Sequence, residues 1–224
     1  PGFTQGWGAK IASTKLIMEQ GLLTTTGNPL DVALEGNAMF EIILDRTDEN
    51  GNPVSAWTRD GAFQLTPIPG SPGWMTLTTK NGKFVSSIED QPIEIPENHF
   101  LKIDESGNIY ALNNANPESM PTFVAQLKVV RVIQPQTLIQ EGENQFVLPP
   151  GIPPDGVVET VDFTAENGNE ATRIAVRQGF IEQSNVNMVH ELTELITVQR
   201  AYQLNARAIS SSDFMMGLTN NLRG

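Results

Sequence analysis

Met188-Val189-His190-Glu191-Leu192-Thr193-Glu194-Leu195-Ile196 opens a run whose apolar residues return every four and three positions. The same register continues through Gln199, Tyr202, Ala206, Ile209, Asp213 and Met216. Such a row is the seam of a coiled coil, because it keeps one apolar stripe turned toward a partner helix along its length. Val189 and Ile196 widen the stripe, leaving room for more than one neighbour. A helix over 187–221 would be about 50 Å long at 1.5 Å per residue. No matching heptad occurs elsewhere in the chain. The partner is therefore expected upstream of this sequence or on another subunit.

Just before that helix stand Ser184, Asn185 and Asn187. Ser and Asn oxygens accept the free N–H groups of a first helical turn, so these residues read as a cap and junction. Gln199 and Asp213 are polar members of an otherwise apolar seam. Polar seam residues either fix register at a cost in stability or face water, and the spacing leaves both open.

Between about residues 25 and 177 the pattern changes to short apolar or alternating runs separated by turn residues, as in an all-β domain. The stretch 31–44 carries Val32, Leu34, Phe40, Ile42, Ile43 and Leu44, bent at Gly36-Asn37. The stretch 57–65 continues it, and the longest run is 123–133, rich in β-branched residues. Asn50-Gly51, Asn81-Gly82, Ser106-Gly107-Asn108 and Asn167-Gly168 supply tight turns. Proline-rich stretches at 67–72 and 149–154 read as loops. The expected fold class is mainly β: a β-rich central domain with a long C-terminal coiled-coil-type α-helix. The expected divisions are an extended N-terminal arm at 1–24, the β-rich domain at 25–177 and a helical assembly segment at 178–224.

A chain of 224 residues with 39% hydrophobic and 18% charged content can bury a sizeable core. Its formal net charge of −12 disfavours nucleic acid and anionic lipid surfaces, which both attract basic proteins. No run of eighteen apolar residues occurs, so no helical membrane insertion is expected. The absence of cysteine excludes disulfides, thiolate catalysis and cysteine-ligated zinc. The chain opens Pro1-Gly2-Phe3 without a signal-peptide pattern, so trimming or export without a cleaved signal is expected.

Motifs for chemistry are weak. Gly6-Trp7-Gly8 begins a dinucleotide fingerprint, but Ile11 stands where the third glycine belongs. Asp48, Asn50 and Asn52 match part of a calcium loop, yet Pro53 replaces its glycine and Arg59 its closing glutamate. His99 and His190 are far apart in sequence and read as separate surface residues. No cofactor, no metal and no enzymatic activity are expected. Thr58-Arg59-Asp60-Gly61 reads as a β-corner, with a subunit contact as the alternative.

Three blocks carry a resemblance. The first holds Gln20-Gly21-Leu22, Thr26-Gly27-Asn28-Pro29-Leu30-Asp31-Val32-Ala33 and Glu35-Gly36; the second is Trp57-Thr58-Arg59-Asp60-Gly61-Ala62-Phe63. The third is Glu182-Gln183-Ser184-Asn185-Val186-Asn187 with Gln199-Arg200-Ala201-Tyr202, Asn205 and Ser212-Asp213. Together they resemble the flagellar rod and hook proteins of bacteria, nearest to the distal-rod members, over almost the whole chain. The resemblance implies a self-assembling subunit of a hollow helical tube, with terminal helices paired inside and a β-rich layer outside. It implies copies of itself, neighbouring rod and hook proteins and the flagellar type III export apparatus as partners, and the basal body as location. It also implies an assembly interface at Met188, Leu192, Leu195, Gln199, Tyr202, Ala206, Ile209 and Met216. The family's initial helix is missing here, so the chain is expected to be a fragment that polymerises poorly alone. Gly36-Asn37-Ala38-Met39-Phe40 departs from the family's Gly-x-Gly-Phe-Phe. Another axial protein, the proximal rod or the hook, is the alternative within the family. A cell-wall carbohydrate-binding or hydrolytic β module is the alternative outside it, with Trp7, Trp57 and Trp74 as its only aromatic platform.

Overall fold

The computed structural model describes residues 18–47, 51, 53–114, 120–142, 144–163 and 174–222. The motifs at Gly6-Trp7-Gly8, Asp48–Asn52 and Asn167-Gly168 lie wholly or largely outside the described residues. The chain divides into two compact units, Pro1–Gln183 and Ser184–Gly224.

The first unit is built of strands, as the alternation led one to expect. They are β1 (Leu23–Thr25), β2 (Val32–Glu35), β3 (Met39–Thr47), β4 (Pro53–Thr58), β5 (Phe63–Pro67), β6 (Trp74–Thr79), β7 (Phe84–Val85), β8 (Glu94–Pro96) and β9 (His99–Ile103). Then follow β10 (Asn108–Asn113), β11 (Thr122–Gln126), β12 (Val129–Val132), β13 (Ile139–Gln140), β14 (Gln145–Val147), β15 (Val158–Thr160), β16 (Ala175–Gln178) and β17 (Phe180–Glu182). A ten-stranded sheet runs β13-β14-β4-β3-β7-β6-β5, with β12 joined to β3, β15 to β12 and β8 to β6. A three-stranded sheet, β11-β10-β9, and two strand pairs, β1-β17 and β16-β2, complete the unit. The second unit is one helix, α1 (Met188–Leu222).

Strand β3 is covered on both faces, which explains why its apolar residues run together rather than alternating with polar ones. Phe40 points into the main core with Leu34, Leu77, Ile93, Ile95 and Ile109, and its ring meets Phe63 edge to face at 5.1 Å. Met39 joins Trp57, Val130 and Val132 in a separate cluster. Glu41 is buried beside them, so its charge needs partners. It accepts hydrogen bonds from Ser55 Oγ at 2.9 Å, Trp57 Nε1 at 3.2 Å and Lys128 Nζ at 3.0 Å. Lys128 also pairs with Asp90.

The run 123–133 is two strands rather than one. Leu127 N bonds to Gly107 O and Lys128 N to Ser86 O, so the chain crosses here from the three-stranded sheet into the large one. The stretch 57–65 is also divided: β4 pairs with β3 and β14, whereas β5 pairs with β6.

Replacing Phe40 by Ala should cost about 3–5 kcal/mol in urea unfolding, since it empties the centre of the core. Burial pulls the Lys128 pKa down, but hydrogen bonds to Asp90 and Glu41, with their charges, outweigh it and raise the pKa above the ordinary 10.5. The stabilisation this gives is complete below the ordinary value and disappears as pH rises through the raised one. Lys128→Met should therefore lose about 3–5 kcal/mol near neutral pH, from an unpaired Glu41. Its deficit against the unmodified protein should stay constant to about pH 10 and shrink above, as followed by unfolding at each pH.

Candidate assembly surface and junction

The junction is assembled from all three blocks of the sequence resemblance. Gln20 accepts from Gly36 N at 3.0 Å and donates to Leu34 O, tying the incoming chain to β2. Gly21 N donates to Glu182 Oε1 at 2.7 Å. Arg59 Nε donates to Glu182 Oε2 at 2.8 Å, while its Nη1 reaches Gly36 O at 3.1 Å and Ala38 O at 3.2 Å. Nη2 stands 2.8 Å from the same Glu182 oxygen without hydrogen-bond alignment. The two side chains are only 17% and 11% exposed, so water screens their attraction little.

The segment from Thr58 to Gly61 turns the chain between β4 and β5. Thr58 Oγ1 accepts from Asp60 N and Asp60 Oδ1 from Ala62 N, two side-chain-to-backbone turns in succession. These strands do not pair with each other, so the turn is a corner within the sheet and not a hairpin. Gly61 is needed for a close approach: a Cβ there would stand 1.6 Å from Val32 O.

Beyond the junction, Ser184 Oγ accepts from Val186 N at 3.3 Å, and Asn185 is exposed. Asn187 Oδ1 accepts from Val189 N and His190 N, at 3.1 and 3.3 Å, and so caps α1. On the helix, Met188, Leu192, Leu195, Gln199, Tyr202, Ala206, Ile209 and Met216 are all exposed. They share one side of α1, as their spacing requires.

A further row was missed in the sequence reading. Leu204, Ala208, Ser211, Met215, Leu218 and Leu222 repeat the four-three spacing, each two residues after a seam position or its continuation. At 3.6 residues per turn this row lies on the opposite side of the helix. None of its members is charged. Its signal is the same periodicity read a second time with a shifted origin. Several hydroxyls are also withdrawn from the surface: Thr193 donates to Val189 O, Thr197 to Thr193 O, Ser210 to Ala206 O and Thr219 to Met215 O. The helix thus exposes more apolar area than a free surface helix tolerates.

Chemistry of other kinds finds little support among the described residues. No three acids or histidines converge as metal ligands. His99 Nδ1 contacts Glu97 O, and His190 lies 3.2 Å from Glu194 one turn along α1. Trp57 is buried, which removes it from any aromatic platform with Trp74. No helix among the described residues is long and apolar enough to cross a membrane.

Asn187→Ala should destabilise the start of α1 by about 1 kcal/mol, measured as lost ellipticity and faster amide exchange at Val189 and His190.

Comparison with known proteins agrees with this geometry. A family model described as the C-terminal part of the flagellar basal body rod FlgEFG proteins matches residues 177–222, the end of the β-rich unit and α1. The flagellar hook-basal body complex protein FlhP of Bacillus subtilis is 32% identical across 100% of this chain, which covers 76% of that protein. The flagellar basal-body rod protein FlgG of Borreliella burgdorferi is 32% identical over 97% of the chain and 74% of its own length. FlgG of Caulobacter vibrioides is 31% identical over 99% of the chain and 75% of its length. With 32% identity along nearly the whole of this chain to relatives of which it covers about three quarters, the chain belongs to the flagellar basal-body rod protein family.

Proposed function

We infer that this chain is a structural subunit of the bacterial flagellar basal-body rod. Its work is mechanical: copies assemble into a hollow helical tube that carries torque and leaves an export channel open. The observation that carries this reading is α1, a 35-residue helix with apolar rows on opposite sides and, among the described residues, no buried side chain of its own. A helix of this kind reaches stability only when neighbours cover it. In the proposed tube, the row from Met188 to Met216 packs against one neighbouring terminal helix, and the row from Leu204 to Leu222 faces another. One patch meeting a different patch on the next copy, repeated around and along an axis, gives an open filament rather than a closed ring.

The partners in this reading are further copies and the adjoining rod and hook proteins, with delivery by the flagellar type III apparatus. Catalysis has no part in it. The acidic surface keeps subunits apart before ordered assembly, since like charges repel.

Each seam residue buried in the tube should contribute as core residues do, so Leu195→Ala should cost about 2–5 kcal/mol per packed site. In cells lacking the native gene, the full-length protein should restore rods and swimming. Leu195→Asp and Leu218→Asp should each abolish rods in electron micrographs of basal bodies while the β-rich unit stays folded. Normal rods with Leu195→Asp would sink the seam; normal rods with Leu218→Asp alone would leave one working row.

A further inference from the structure

The two ends of the β-rich unit are held by a short ladder. Leu23 pairs with Glu182, Thr24 with Ile181 and Thr25 with Phe180, and among the described residues no third strand joins β1 and β17. A two-stranded pair of this size is marginal by itself. Because the strands are antiparallel, the chain enters at Gly21 and leaves at Gln183 on the same end of the ladder. Separation of the two terminal segments therefore unzips the ladder from that end.

The opposite end is tied by backbone bonds and by the Thr26 hydroxyl, which donates to Gly179 O at 3.4 Å. Gly179 O accepts from Thr26 N and Gly27 N, and Gly179 N donates to Asp31 O. The end that would open first has more. Gln183 N donates to Leu22 O at 2.9 Å. Glu182 uses one carboxylate oxygen for Gly21 N of the entering segment and the other for Arg59. The Arg59 guanidinium then anchors the pair to two carbonyls of the turn between β2 and β3. The strands approach so closely here that a Cβ on Gly21 would lie 1.9 Å from Gln183 O.

We propose that Arg59 and Glu182 are positioning residues, a clasp that keeps β1 and β17 zipped where the terminal segments leave the β-rich unit. Load carried by those segments then reaches the large sheet through the guanidinium instead of opening the ladder. This rests on the rod reading above. A planar guanidinium can serve a carboxylate and two carbonyls at once, whereas an ammonium on the same stem lacks that fixed fork. Arg59→Lys should accordingly be a partial loss rather than a neutral change.

The test uses the full-length protein with Glu182→Gln and Arg59→Lys, and Arg46→Ala as control, which removes only an exposed ion pair with Glu141. Hydrogen exchange is read by segment. In Glu182→Gln the amides of residues 22–25 and 180–183 should exchange about tenfold faster or more, while those of β3 and β4 keep their rates. Arg59→Lys should fall between, and Arg46→Ala should match the unmodified protein. In cells lacking the native gene, Glu182→Gln should permit rods but slow swimming in viscous medium. Equal acceleration throughout the unit would reduce the pair to general stability and overturn the clasp. Unchanged exchange at both segments, or undiminished swimming under viscous load, would overturn it too. Failure of the unmodified protein to restore rods would instead overturn the rod reading.

Discussion

An apolar surface that water must cover is a standing free-energy cost, and α1 carries two exposed apolar rows of it. At roughly 25 cal/mol per Å² of apolar area buried, covering two rows along such a helix outweighs anything its own backbone bonds supply. The remaining features of the protein are intelligible as service to that one requirement. Asn187 fixes where the helix begins. The back-bonded threonines and serines keep its flanks free of competing hydroxyls. The β-rich unit, with a core of its own around Phe40, needs no help from the helix to fold. One part with its own core and one exposed helix suit the polymer proposed above.

The buried polar groups of the β-rich unit divide by what they secure. Glu41 bonds Ser55 and Trp57 of β4, a strand already paired by backbone with its own, and Lys128 links Glu41 to Asp90. Replacing such a pair by well-packed apolar residues is often neutral, so its value lies in specifying register more than in strength. Arg59 and Glu182 differ. Glu182 bridges β17 to the segment that enters the three-pair ladder of β1, and Arg59 ties that bridge to the corner between β4 and β5, which gives one ion pair influence out of proportion to its energy.

What could be read beforehand followed the range of the interactions. The β character of 25–177 and the turn at Asn81-Gly82 depend on neighbours in sequence, and both show in the pattern. The long helix from Met188 is a periodicity and shows equally well. The division of 123–133 did not show, because Leu127 and Lys128 leave one sheet for another through bonds to Gly107 and Ser86. Arg59 read as part of a turn, since nothing local to it names a carboxylate 123 positions away. The second row on α1 was present in the letters but masked by the first, which had already accounted for the helix.

The closing contacts of the β-rich unit also set the order in which it can be completed. Gly21 and Glu182 are 161 positions apart, so the final strand pair forms only after almost the entire unit is available. Contacts of such separation are slow to form, because loop-closure entropy is lost before any pairing is gained. Local pairings such as β5 with β6 can form early, whereas β1 must wait for β17, the last strand of the unit. Topology alone thus makes the pairing of β1 with β17 the last step of closure.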